Sequence, residues 1–279
     1  MLLGLLRDGA AGYYDLAAYM RGRRRTRYII WFCRSIAASL LAHAGLGGQE
    51  PVAAVARALL AASYRFVTGP AAAEPVLGSP PVIRPEAYDE ELGYPAIPDL
   101  YLLELFAYSP AARSDPRLLP VLDYVFGPDY LRLGQGIGLI ALEGKSFVKG
   151  WKITLPQPDT MLCRGMWAYG LTVLELMARL GAAGRYPATT GWLRWLAERQ
   201  VRPGIYDLPA SACSRHGPFA ERVRLAPDWR KPDSRMADIT FRLQLIRRLM
   251  KSGPVPPDNG VLPSHGSATN SPGSTAGST

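Results

Sequence analysis

Asp238 is the carboxylate that the sequence best places to do chemistry. It stands in Asp238–Ile239–Thr240–Phe241–Arg242. A carboxyl kept protonated by burial can act as a general acid, for example toward an alkene. The plainer account is stronger, because Arg235, Asp238 and Arg242 are spaced three and four apart, as in a charge ladder on one helix face. Tyr101, Trp151, Trp167 and Tyr169 are candidates to line a cavity whose ring faces stabilise a cation, although aromatics at helical spacing more often fill ordinary core. Lys149, Lys152 and Arg164 lie close to Trp151 in the chain and suit a diphosphate, with a solvated basic face as the alternative.

Two further groupings fall short of a motif. Gly144–Lys145–Ser146 ends like a phosphate loop, but five residues separate Gly138 from Gly144 where the motif has four. Asp207, Cys213 and His216 are zinc-ligand types, yet with a single Cys and a single His a surface loop is the simpler account. No metal and no cofactor is expected.

The elements that would position these residues repeat. Leu103–Val125 aligns without a gap on Leu174–Leu196, 71 residues later. Leu103, Glu104, Leu105 and Ala107 fall on Leu174, Glu175, Leu176 and Ala178, and Pro116 falls on Pro187. Each copy reads as helix, loop, helix, and such a repeat bears directly on fold. LQLIRRL at 243–249 opens a third unit like LELMARL at 174–180. Pro51–Phe66, behind Tyr28–Gly45, reads as a worn first copy. Gly165–Leu180 is apolar nearly all round, with Thr172, Glu175 and Arg179 as one narrow polar stripe, so it belongs inside. Between the helices, Thr68–Pro98 carries seven prolines and is expected to wrap the surface without regular helix or central strand. Gly127–Pro158 is glycine-rich and basic, a loop or short hairpin.

With 279 residues, 48% of them hydrophobic, the chain can bury a large core. Its net charge of +9 suits an anionic partner, but no nucleic-acid-binding motif accompanies it, and nucleic acid is not expected. The three cysteines form no disulfide framework, which points to a reducing, cytoplasmic setting. Tyr28–Ala44 is apolar behind the run Arg21, Arg23, Arg24, Arg25 and Arg27, but Arg34 interrupts it. It falls short of the about 20 residues of a spanning helix, so no integral membrane span is expected. Residues 251–279 are mostly Pro, Gly, Ser and Thr, the composition of a disordered tail.

Trp195–Leu196, then Gln200, Gly204 and Tyr206 resemble the QW repeat of squalene and hopene cyclases, with Tyr206 in place of the second Trp. The Gln would bond backbone at a helix end, the Gly would permit a tight turn, and the aromatic would stack on the next element. The resemblance covers Pro187–Tyr206 and, more loosely, Pro116–Gly138. It implies the fold that terpenoid cyclases share with protein prenyltransferases, an α/α toroid around an apolar cavity. The family's DxDD acid motif is absent from this sequence, as is the DDxxD motif of metal-dependent diphosphate ionisation.

The expected fold is therefore all-α, with repeated α–α hairpins over residues 1–250 forming a partial α/α toroid or short α-solenoid. The expected function is that of a prenyltransferase- or cyclase-like protein holding an isoprenoid or other apolar ligand in a central cavity, with catalysis left open. The alternative is a helical-repeat scaffold for protein partners.

Overall fold

The computed structural model describes residues 23–142, 145–163, 166–209, 225, 229 and 231–252. The helices are α1 (Arg23–Leu41), α2 (Glu50–Thr68), α3 (Leu100–Tyr108), α4 (Pro110–Arg113), α5 (Leu118–Val125), α6 (Pro128–Leu131), α7 (Pro158–Cys163), α8 (Trp167–Arg179), α9 (Pro187–Ala197) and α10 (Pro232–Ser252). Proline stands at the first or second position of α2, α4, α6, α7, α9 and α10, where its missing N–H costs no helical hydrogen bond.

Both copies of the sequence repeat are helical. The first copy is α3 with α5, and the second is α8 with α9. Helices α1, α3, α8 and α10 pack side by side in that order, while α2 lies on α1 and α5. The two copies end their first helices differently. Helix α8 closes in a Schellman turn: Gly181 is left-handed (φ 70°), Gly181 N–H bonds Ala178 O, and Ala182 N–H bonds Met177 O. The residue aligned with Gly181 is Pro110, and α3 stops two residues before it, at Tyr108.

The all-α toroid expectation is overturned. The described residues hold a four-stranded sheet in the order β1 (Val76–Leu77), β2 (Val82–Ile83), β5 (Leu139–Leu142), β6 (Lys145–Val148), and two hairpins, β3 (Tyr88–Asp89) with β4 (Tyr94–Pro95) and β7 (Gln200–Arg202) with β8 (Ile205–Tyr206). The outer pairs of the sheet are antiparallel, and β2 joins β5 in parallel through Val82 and Leu139. Gly138 permits that approach, since a Cβ there would lie 2.8 Å from Val76 Cγ1. The fold is thus helix-dominated but mixed.

The proline-rich connection is likewise not a surface wrap throughout. Ile83, Ala87, Leu92, Tyr94, Ala96 and Ile97 are buried in the common core. Strands of two to four residues leave little alternation to read, and prolines are tolerated at their ends. Strand also forms well outside Gly127–Pro158.

Helix α1 runs on through a π-turn at Ala42–Leu46, where Gly45 takes a left-handed conformation (φ 90°). The 20 residues Arg27–Leu46 are long and apolar enough, by length and composition, to cross a membrane. They take in Arg27 at one end and the π-turn, kinked at Gly45, at the other. Of the tail expected to be disordered, Lys251 and Ser252 belong to α10, and the rest lies outside the described residues.

Candidate functional site

The lysines expected to meet a diphosphate are built into the interior. Lys149 is fully buried and its Nζ donates to Asp99 Oδ2 and, at 3.0 Å, to the Tyr94 hydroxyl. Burial alone would lower its pKa, but the Asp99 charge and Tyr94 outweigh that and hold it above the ordinary lysine value. Asp99 is at once the N-cap of α3, accepting from Leu102 N–H at 3.0 Å. A Cβ on Gly150 would lie 2.8 Å from Asp99 Oδ2, so the absence of a side chain there lets the pair close. Lys152 Nζ donates to the carbonyls of Leu131 and Leu133, both at 2.7 Å, and burial lowers its pKa. Arg164 lies outside the described residues.

The four aromatics do not meet in one chamber. Trp167 is buried and stacks on Trp229, with ring centroids 4.4 Å apart. Tyr169 is buried and its hydroxyl donates to Lys152 O. Trp151 is 44% exposed, and Tyr101 is half-buried at the start of α3. None of them lines any of the five main clefts among the described residues.

Asp238 is buried and accepts from Trp229 Nε1 at 2.5 Å and from Leu225 N–H at 3.0 Å. Its neighbours on the expected ladder reach other elements: Arg235 grips Asp207 with two bonds of 2.7 Å, and Arg242 donates to Glu175 at 2.6 Å. These bonds fasten Asp207, Leu225, Trp229 and α8 to α10.

Lys145 and Ser146 belong to β6, the second strand of a hairpin, not to a strand-to-helix phosphate loop; Gly144 lies outside the described residues. So do Cys213 and His216, and Asp207 is engaged with Arg235. Among the described residues no group of His, Cys, Asp and Glu is placed to hold a metal ion.

A line of polar contacts runs across the four packed helices. Ser39 donates to Glu104 at 2.8 Å, and His43 Nδ1 lies 3.1 Å from the same carboxylate. The His43 ring packs on Tyr108, centroids 4.5 Å apart, and the Tyr108 hydroxyl donates to Glu175 at 3.3 Å. Glu175 also accepts from Arg179 at 2.8 Å and from Arg242. Glu104 and Glu175 are the aligned glutamates of the two copies. Sequence reasoning aligned them without assigning them a role; their identical place in each repeat is the signal that both face a neighbouring helix.

The QW-like segment forms α9 and the β7–β8 hairpin. Gly204 makes the turn at φ 77°, and Tyr206 is buried against α10, its hydroxyl accepting from Arg247 at 2.6 Å. Gln200 Oε1 accepts from that same hydroxyl at 3.4 Å, in place of the expected bond to helix-end backbone.

An open, largely apolar cleft lies where the two copies meet. It has a volume of about 520 Å³ and runs between the end of α5 and the start of α9, over the extended segment 152–157. Phe126 stacks on Tyr186 there, centroids 4.4 Å apart, and Trp192 donates to Pro156 O at 2.7 Å. No family model, curated protein or solved structure matches this chain.

Proposed function

We propose that this chain is a non-catalytic helical scaffold that takes an extended protein segment in the cleft between its two repeat copies. One observation carries the reading. The side chains that would do chemistry on an isoprenoid diphosphate, Lys149, Lys152 and Asp238, are occupied by internal bonds, Lys152 at the wall of the junction cleft itself, whereas the rest of that cleft is open and largely apolar. Its floor offers Phe126, Ile153, Pro156 and Tyr186, and Leu131 stands at its rim with 53% of its surface exposed. Aromatic and aliphatic anchors in a groove are what an extended partner segment uses.

The test places a photo-crosslinking amino acid at Leu131 and, as a control, at Leu119, which is exposed on α5 but does not line the cleft. A discrete peptide adduct is expected at 131 and not at 119. Native mass spectrometry of the purified chain carrying a stoichiometric isoprenoid would overturn the proposal, as would equal crosslinking at both positions.

A further inference from the structure

Helix α1 has two unlike faces. The packed face is built of small residues: Ser35, Ala38, Ser39 and Ala42 are buried, and Ser39 bonds Glu104 of α3. Another face carries Ile29, Cys33, Ile36 and Leu40, spaced four, three and four along the helix. Leu40 has 48% of its surface exposed, Cys33 and Ile36 reach solvent in part, and Ile29 packs partly on the core. Only 28% of the apolar stretch within Arg27–Leu46 is buried. Single exposed leucines need no explanation, but a continuous apolar stripe marks an interaction surface.

Charge says what covers it. The sequence of the helix opens with Arg23, Arg24, Arg25 and Arg27, at the leading end of the stripe, in a chain of net charge +9. Arg27 is exposed. Half-buried Trp31 lies one turn further on, with the Arg34 guanidinium 5.2 Å over its ring. Arg34 lies in the cleft between α1 and α2, and its buried Nε has no hydrogen-bond partner among the described residues. Trp31 and Arg34 face α2 rather than the stripe; it is the exposed aliphatic stripe behind a run of arginines that has the makings of an interfacial element. Helix α1 is not free to be surrounded by hydrocarbon, because α2 beside it carries the exposed ion pair of Glu50 and Arg57.

We propose that α1 docks this chain on an anionic lipid surface, lying in its plane, with Ile36 and Leu40 entering the acyl boundary and the arginine-rich leading end meeting lipid phosphates. This surface is separate from the repeat-junction cleft, so either proposal can fail without the other.

The test is co-sedimentation of the full chain with vesicles of phosphatidylcholine alone or mixed with phosphatidylglycerol. Binding is expected only to the anionic vesicles and should weaken with salt. Joint Ile36→Asp and Leu40→Asp should lower the affinity by about tenfold or more, and so should joint Arg24→Gln, Arg25→Gln and Arg27→Gln. The arginine variant alters no apolar residue and keeps the test valid if the aspartates disturb folding, which circular dichroism would reveal. Leu119→Asp should bind like the parent. The proposal is overturned by no binding to anionic vesicles, by undiminished binding of the arginine variant, or by sedimentation equilibrium showing a dimer that the aspartates dissolve without any vesicle binding.

Discussion

Replacing Lys149 with Met removes a charge from the interior at nearly constant side-chain length. What remains is Asp99, buried and left with the Leu102 N–H that it caps. Removing one partner of a buried ion pair costs about 3–5 kcal/mol, because the other charge is stranded. That is a large share of a domain stability of about 5–15 kcal/mol. Adding Asp99→Asn neutralises the stranded group and keeps a good cap, so the double variant should return to within about 2 kcal/mol of the parent. Urea denaturation followed by tryptophan fluorescence reads both values.

The pair also predicts a pH dependence. The Lys149 pKa is raised on folding, so its contribution is fully present below the unfolded lysine value of about 10.4 and is lost as pH rises through the folded value. The stability gap between parent and Lys149→Met should therefore stay level through the neutral range and narrow only above about pH 10.4. A cost below about 1 kcal/mol, or a double variant no more stable than the single one, would refute the assignment of this lysine to structure rather than to ligand.

Gly170→Ala should cost about 1–3 kcal/mol, since a Cβ there would lie 2.5 Å from the Trp192 ring; the thermal midpoint would show it. Trp192→Ala should cost about 3–5 kcal/mol and Arg194→Ala, exposed on the same helix, less than about 0.5 kcal/mol, both by urea denaturation. Glu175→Gln should cost about 1–3 kcal/mol, because it weakens the acceptor shared by Arg179 and Arg242; a melt unchanged from the parent would mean that the contacts across α8 contribute nothing.

Much of the helical frame is legible in the sequence, and for identifiable reasons. The apolar run of α8 announces a central helix, and the structure buries it nearly throughout. The narrow stripe of Thr172, Glu175 and Arg179 reads as polar. The structure uses it for contact, since Glu175 meets α3 and α10 through Tyr108 and Arg242. The candidate sites do not survive because residue type says nothing about partner. Lys149 and Asp99 are 50 residues apart, and Asp238 meets Trp229 and Leu225 across a stretch without periodicity. The short hairpin expected within Gly127–Pro158 is present as β5–β6, but the other strands escape a sequence reading because they are too short to leave a period-two pattern.

The sequence by itself determined where most of the long helices run, that two helical stretches align on each other, and that glycine or proline punctuates their ends. Those properties are local: they follow from side-chain spacing within a few turns and from backbone freedom at single residues. Only the tertiary structure decided that a sheet is inserted among the helices, which charges are engaged in internal pairs, and which apolar face of α1 is left uncovered. Each of these depends on what lies across the chain from a residue. Burial turns a lysine from a ligand-binding group into a structural ion, and packing turns one face of an apolar helix into core while leaving another in solvent.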